Sequence, residues 1–188
     1  MIMKNIFKSE SVSKFQKMLE ESDKIVLTAH MRPDGDALGS TLGLWHLLKS
    51  LGKTPSVVIP DRPPRSLMFM PGVKEIAVFT RHDPYCSRLV GEADMIIMCD
   101  FNTATRQGDL APLIQGAQCR KVLIDHHRNP DIDCELVFSY PEMSSTCELV
   151  FRLIAACGLY SEMDTASATC LLTGLITDKQ NFTVHCNN

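Results

Sequence analysis

The sequence predicts an α/β fold, three-layered and doubly wound, with a mainly parallel sheet and helices on both faces. Three observations carry this. Apolar runs of strand length alternate along the chain with segments of helical period. The run Met95–Cys99 is apolar without alternation, as strands covered on both faces are. No repeat, low-complexity tract or linker interrupts the 188 residues. They suit one domain, which at this size buries roughly 70% of its unfolded surface.

The elements follow in order. Residues 11–22 read as a helix, because Val12, Phe15 and Leu19 recur at i, i+3 and i+7, and Ser13-x-x-Gln16 resembles a capping box. Residues 24–29 form a buried strand. A second helix spans 36–51, with Leu38, Leu42, Trp45 and Leu48 inward and Gly52 ending it. Residues 55–59 are the next strand. The proline-rich stretch 60–71 is loop or short helix. A weak strand at 76–79 and a short helix at 84–91 lead to Met95–Cys99. A short helix at 110–115 separates that strand from the apolar run 122–124, and 135–138 adds one more strand. Ser145-x-x-Glu148 is a capping box that opens a mostly apolar helix to Ala156, with Gly158 just past its end. The last helix, 165–177, is apolar almost all round and is expected to be buried.

Composition narrows the function. Hydrophobic residues at 45% and charged residues at 22% exclude a disordered chain. A net charge of −3 excludes a basic nucleic-acid coat, and no basic stripe suits a DNA duplex. A small phosphate pocket remains compatible with that surface. No apolar run approaches the roughly 20 residues of a membrane helix, so no membrane partner is expected. The first residues show no apolar signal region and no small-residue cleavage site. Eight cysteines contain no Cys-x-x-Cys pair, which argues against a zinc ribbon. They read as reduced core thiols of a cytoplasmic protein.

Ligands of open α/β sheets bind beyond the carboxyl ends of the strands. The strand at 24–29 delivers His30, Asp34 and Asp36 there. Met95–Cys99 delivers Asp100, and 122–124 delivers Asp125, His126 and His127. The apolar run 171–176 is followed by Asp178. Taken singly, each acid has a plain structural role. Asp36 could cap the helix it precedes, Asp34-Gly35 could be a turn, and Asp100 could start a loop. Asp178 opposes the dipole of the helix it ends. Taken jointly, five aspartates and three histidines in one cleft would repel unless cations neutralised them. Carboxylate with imidazole and no thiolate suits manganese or magnesium. More than four candidate ligands suits two ions, whose usual task is in-line attack on a phosphate ester. His46, beside Trp45, reads as structural or surface, and His82 and His185 lack acidic company.

These residues resemble the motifs of the DHH phosphoesterases. The resemblance rests on His30-x-x-Pro33-Asp34-x-Asp36 with Ala37-Leu38-Gly39-Ser40 behind it, on Asp100, on Asp125-His126-His127, and on Asp178. Ser144-Ser145-Thr146-Cys147-Glu148 is similar to a stretch of one branch, the nano-RNases. These degrade short oligoribonucleotides and remove the 3′-phosphate of adenosine 3′,5′-bisphosphate (pAp); members are often called exopolyphosphatase-related. The resemblance implies that His30 and Asp34 bind one manganese, that Asp36, His126 and Asp178 bind the second, and that Asp100 bridges both. It implies that His127 faces the scissile phosphate and that Asp125 orients a histidine. Arg106, six residues past Asp100, is a candidate phosphate contact or a solvated loop residue.

Two departures from the family pattern set further expectations. Lys179 and Gln180 replace a threonine and a glycine after the fourth motif, which would displace Asp178 and weaken the second metal. The chain also stops soon after that motif, where members continue into a smaller substrate-binding domain. Three readings follow. One is a phosphoesterase domain acting on short single-stranded oligonucleotides or a nucleotide bisphosphate. Another is a polyphosphate or pyrophosphate hydrolase. The third is an inactive metal- or nucleotide-binding module. A face left apolar where the second domain packs would favour a homodimer.

Overall fold

The computed structural model describes residues 5–178. The first half of the chain runs α1 (Ser9–Glu21), β1 (Lys24–Thr28), α2 (Gly35–Ser50), β2 (Thr54–Ile59), β3 (Ala77–Val78) and α3 (Phe79–Gly91). The second half runs β4 (Met95–Cys99), α4 (Ala111–Gly116), β5 (Arg120–Asp125), β6 (Leu136–Ser139), α5 (Thr146–Ala156) and α6 (Thr165–Asp178). All five strand pairings are parallel, in the order β3-β2-β1-β4-β5-β6.

The alternation of side chains along each strand builds the layers. Ile25, Leu27, Ile97, Val122 and Ile124 face a core shared with α1, α2, α5 and α6. Val26, Ile96, Met98 and Leu123 face the opposite core, with Cys86 and Val90 of α3 and Ile114 of α4. β4 is buried throughout, because both its faces are covered. The edge strand β6 leaves Val137 exposed. The expected three-layer α/β fold is therefore the observed one. After β3 the chain returns across the sheet to lay β4 beside β1. The order reverses there, and the reversal opens a crevice between the carboxyl ends of these two strands.

Several local readings are corrected. α1 begins at Ser9 after Lys8, whose side chain makes no cap bond. Ser13 and Gln16 lie inside the helix, and Gln16 Nε2 donates to the Cys157 carbonyl at 3.0 Å. The cap of α2 is Asp34, not Asp36: its Oδ1 accepts from Asp36 N and Ala37 N, both at 3.0 Å. α3 starts at Phe79, five residues earlier than expected, and kinks at His82 ahead of Pro84. Proline removes a ladder bond and its ring crowds the preceding turn. The stretch 60–71 is, as expected, loop with one short helical turn, Arg65–Leu67. α6 is not buried all round: Ser167, Cys170, Leu171 and Gly174 form its inner stripe, while Leu172 is 55% exposed. Its apolar composition hid which face packs.

That inner stripe lies against α2 at backbone range. A Cβ built on Gly39 would stand 2.6 Å from the Cys170 carbonyl oxygen and 2.8 Å from Cys147 Sγ. Seven cysteines fall among the described residues and all are free. Cys186 lies outside them. Burial pushes the Cys86 and Cys157 thiols up to about 11 and Cys170 up to about 12. These thiols pack as small hydrophobes, as expected. Among the described residues no helix is long and apolar enough to cross a membrane.

Gly39→Ala should destabilise the fold by about 1–3 kcal/mol through overpacking. At about 2–4 °C per kcal/mol for this size, the melting temperature should drop by roughly 2–12 °C. Gly91→Ala, where a Cβ meets nothing within 4 Å, should be neutral or stabilising. Thermal melts followed by circular dichroism check the contrast.

Candidate metal centre

The crevice between β1 and β4 collects the predicted residues. β1 hands the chain to His30 and then to the turn that caps α2. β4 ends at Asp100, whose φ of 66° is left-handed, a region few non-glycine residues adopt. Its N–H donates to the Ile124 carbonyl at 3.1 Å, so the backbone leaves the sheet there pinned to β5. β5 ends at Asp125 and delivers His126 and His127. α6 brings Asp178 from the side.

Three groups of ligand atoms result, each within 4.8 Å: His30, Asp34 and Asp100; Asp36, His126 and Asp178; Asp100, His126 and His127. His30 Nδ1 lies 2.8 Å from the Met31 carbonyl oxygen, which can only accept, so the ring proton sits on Nδ1. Nε2 then presents its lone pair to the crevice, 3.4 Å from Asp100 Oδ2 and 3.8 Å from Asp34 Oδ2. It is buried and has no hydrogen-bond partner. His126 repeats the arrangement. Its Nδ1 lies 3.3 Å from the Met143 carbonyl oxygen, and its Nε2 lies 3.6 Å from Asp100 Oδ1 and 3.7 Å from Asp36 Oδ2. These gaps exceed hydrogen-bond length. They suit donor atoms surrounding a shared cation at about 2.1 Å from each.

The electrostatics point the same way. Burial first, then the charges of Asp36 and Asp34, holds the Asp100 carboxyl well above the usual carboxylate range. Without a cation this acid is held partly against its ionised form.

His127 stands apart from that pattern. Its Nδ1 donates to Asp125 Oδ1 at 2.7 Å, and Arg106 Nη1 donates to its Nε2 at 2.9 Å. The Asp125 hydrogen bond is the largest cause raising the His127 pKa. Asp125 therefore orients His127 through Nδ1, while Arg106 meets the same ring at Nε2. Arg106 is itself pinned: its carbonyl accepts from Met31 N at 2.7 Å, and the next residue, buried Gln107, donates from Nε2 to Thr28 Oγ1 at 2.9 Å.

The seven metal-region side chains His30, Asp34, Asp36, Asp100, His126, His127 and Asp178 thus meet at one crevice, with Asp125 and Arg106 behind and beside His127. Lys179 and Gln180, expected to disturb Asp178, lie outside the described residues, as does His185. His46 packs edge-on against the Trp45 ring, centroids 4.8 Å apart. Sequence reasoning missed Gln107, which no periodicity marks, and the contacts of Thr146, which it placed only within the capping turn and the branch-like Ser144–Glu148 stretch.

Comparison with known proteins places the chain in a family. Residues 24–175 match the DHH family, N-terminal domain, and the chain belongs to that family. It is 33% identical over 158 residues to the bifunctional oligoribonuclease and PAP phosphatase NrnA of Thermus thermophilus, covering 84% of this chain and 44% of that protein. The crystal structure of an exopolyphosphatase-related protein from Bacteroides fragilis superposes with a TM-score of 0.97 at 40% identity, over 99% of this chain and 55% of the other. Exonuclease RecJ bound to manganese shares the fold at a TM-score of 0.54 and 18% identity, over 95% of this chain and 44% of RecJ. The chain spans about half the length of these relatives.

Long-range proton–nitrogen spectra of the metal-free chain at alkaline pH should show His30 and His126 protonated on Nδ1 and bare on Nε2. A proton on Nε2 of either ring contradicts the ligand assignment.

Proposed function

We propose that this chain is the metal-binding part of a phosphoesterase. Its substrates are phosphate esters of short single-stranded oligonucleotides or of a nucleotide bisphosphate such as pAp, and it works with two divalent cations. The observation that carries the reading is that Asp100 stands in two ligand groups, one with the orphaned His30 Nε2 and one with His126, and that His126 also stands in the group with Asp36 and Asp178. His30, Asp34 and Asp100 would hold one ion; Asp100, Asp36, His126 and Asp178 would hold the other. Carboxylate oxygens and imidazoles without thiolate favour manganese, with magnesium next. When bound, the ions neutralise the acids and supply Lewis acidity and an acidified water.

The chain's own residues do the rest. Asp125 holds the His127 ring through Nδ1, which leaves Nε2 to Arg106. The Arg106 guanidinium, now on that Nε2, has donors to spare for a phosphate oxygen, which a planar fork recognises well. Arg106, held by His127 Nε2, places positive hydrogen-bond donors where charge develops on the phosphoryl group. The relative from Thermus is named for oligoribonuclease and PAP phosphatase action, and this supports a nucleotide substrate. The free thiols support a reducing, cytoplasmic compartment. A second reading, polyphosphate hydrolysis, is favoured by the likeness to the exopolyphosphatase-related protein.

The test is phosphate release from pAp, di-adenylate and short polyphosphate with manganese, for the chain and its Asp100→Ala variant. The expected result is hydrolysis of the nucleotides by the parent and a drop to below about 0.1% in the variant, since both ions lose their shared ligand. Chelation should abolish the activity and manganese should restore it. Polyphosphate as the preferred substrate would select the second reading. Activity retained by Asp100→Ala would sink the site assignment. A folded parent that takes up manganese without hydrolysing anything would make the chain a binding module.

A further inference from the structure

We propose that Thr146 is a positioning residue of the metal centre, its hydroxyl fixing Asp100 in the pose that serves both ligand groups. The inference rests on the metal reading above and deepens it. The first turn of α5 divides its polar groups in two. Ser145 caps the helix, its Oγ accepting from Glu148 N at 3.1 Å. Glu148 Oε2 accepts from Ser144 N at 3.1 Å and Ser144 Oγ at 2.6 Å, and its Oε1 takes the Arg152 guanidinium at 2.9 and 2.8 Å. Those residues close the turn on itself.

Thr146 and Cys147 point the other way. The N–H groups of a helix's first turn have no partner inside the helix. Here Thr146 N donates to Asp36 Oδ2 at 2.7 Å and Cys147 N donates to Asp36 Oδ1 at 2.8 Å, one donor to each oxygen. Thr146 Oγ1 donates to Asp100 Oδ1 at 2.9 Å. One fully buried residue therefore grips two carboxylates from different elements, Asp36 of α2 by its backbone and Asp100 beyond β4 by its side chain.

The side-chain bond has a geometric consequence. Asp100 Oδ1, the oxygen bound by Thr146, faces His126 Nε2; Oδ2 faces His30 Nε2. The hydroxyl fixes the roll of the carboxylate so that one oxygen serves each histidine's group. A carboxylate free to turn about its χ2 axis would not hold both at once. Groups that orient ligands from behind in this manner typically change metal affinity 10–100-fold. The grip on Asp36 is main-chain and survives any side chain at 146, so substitution there isolates the Asp100 bond.

Thr146→Val keeps the shape and removes the donor; Thr146→Ser keeps the donor. Manganese is titrated into the full 188-residue chain and both variants, with calorimetry for count and affinity. Electron paramagnetic resonance reads the exchange-coupled signal of two carboxylate-bridged ions. The parent should bind two coupled ions. Thr146→Val should bind at least one ion about 10–100-fold more weakly and lose the coupled signal, with Thr146→Ser close to the parent. A thermal melt of each establishes folding, and Thr146→Ala replaces valine if valine prevents it. Parent-like binding and coupling in the valine or alanine variant overturns the role of Thr146 and leaves the metal reading standing. Equal losses in the serine and valine variants overturn the hydroxyl as the cause. A parent that takes up no manganese overturns the metal reading, and the role of Thr146 with it.

Discussion

Two carboxylates, Asp36 and Asp100, are almost wholly buried at one crevice, and the rest of the site follows from what that demands. Taking an ionised carboxylate out of water costs several kcal/mol unless hydrogen bonds and opposite charge repay it. Asp36 is repaid by two backbone N–H donors. Asp100 receives one hydroxyl and is left with its second oxygen facing a bare imidazole nitrogen. In the neutral form, the tautomers their carbonyl partners select give the histidines no positive charge to supply. They supply lone pairs instead. A cavity edge lined by carboxylate oxygens and imidazole lone pairs, with few protons to share, has a deficit that cations fill.

The fold makes this arrangement possible. A parallel sheet covered on both faces needs no polar residue until its strands end, so the acids and histidines of the crevice gather at the carboxyl edge. The reversal of strand order separates the crossing helices and opens space where β1 and β4 diverge. α5 and α6 arrive from one face. α5 points its N-terminal donors at the acids, and α6 lies against α2 at backbone range through Gly39 and carries Asp178 to the cluster. The close approach of α2 and α6 and the composition of the metal centre are one structural problem, since Cys147 Sγ packs against Gly39 while Cys147 N holds Asp36.

Much of this was legible in the sequence because burial writes itself plainly in parallel strands. Apolar runs marked β1, β4 and β5, and the residue after each run proved to be at the crevice. The acids were harder to separate. Asp36 reads as a helix cap and Asp34 as a turn, and only the folded structure shows that Asp34 divides its oxygens, Oδ1 to the cap and Oδ2 toward His30. The contacts of Thr146 and Gln107 were not legible, because each bridges residues far apart in the chain and neither breaks a local pattern. α6 misled for a related reason: composition reports how apolar a helix is, whereas its buried stripe depends on a neighbour's glycines.

The central claim is that two ions share Asp100. Anomalous diffraction at the manganese edge, from crystals of the chain grown with manganese, tests it most directly. Two peaks flanking Asp100 are predicted, one among His30, Asp34 and Asp100, the other among Asp36, Asp100, His126 and Asp178. A single peak away from Asp100, or none at full manganese occupancy of the solution, would contradict the account.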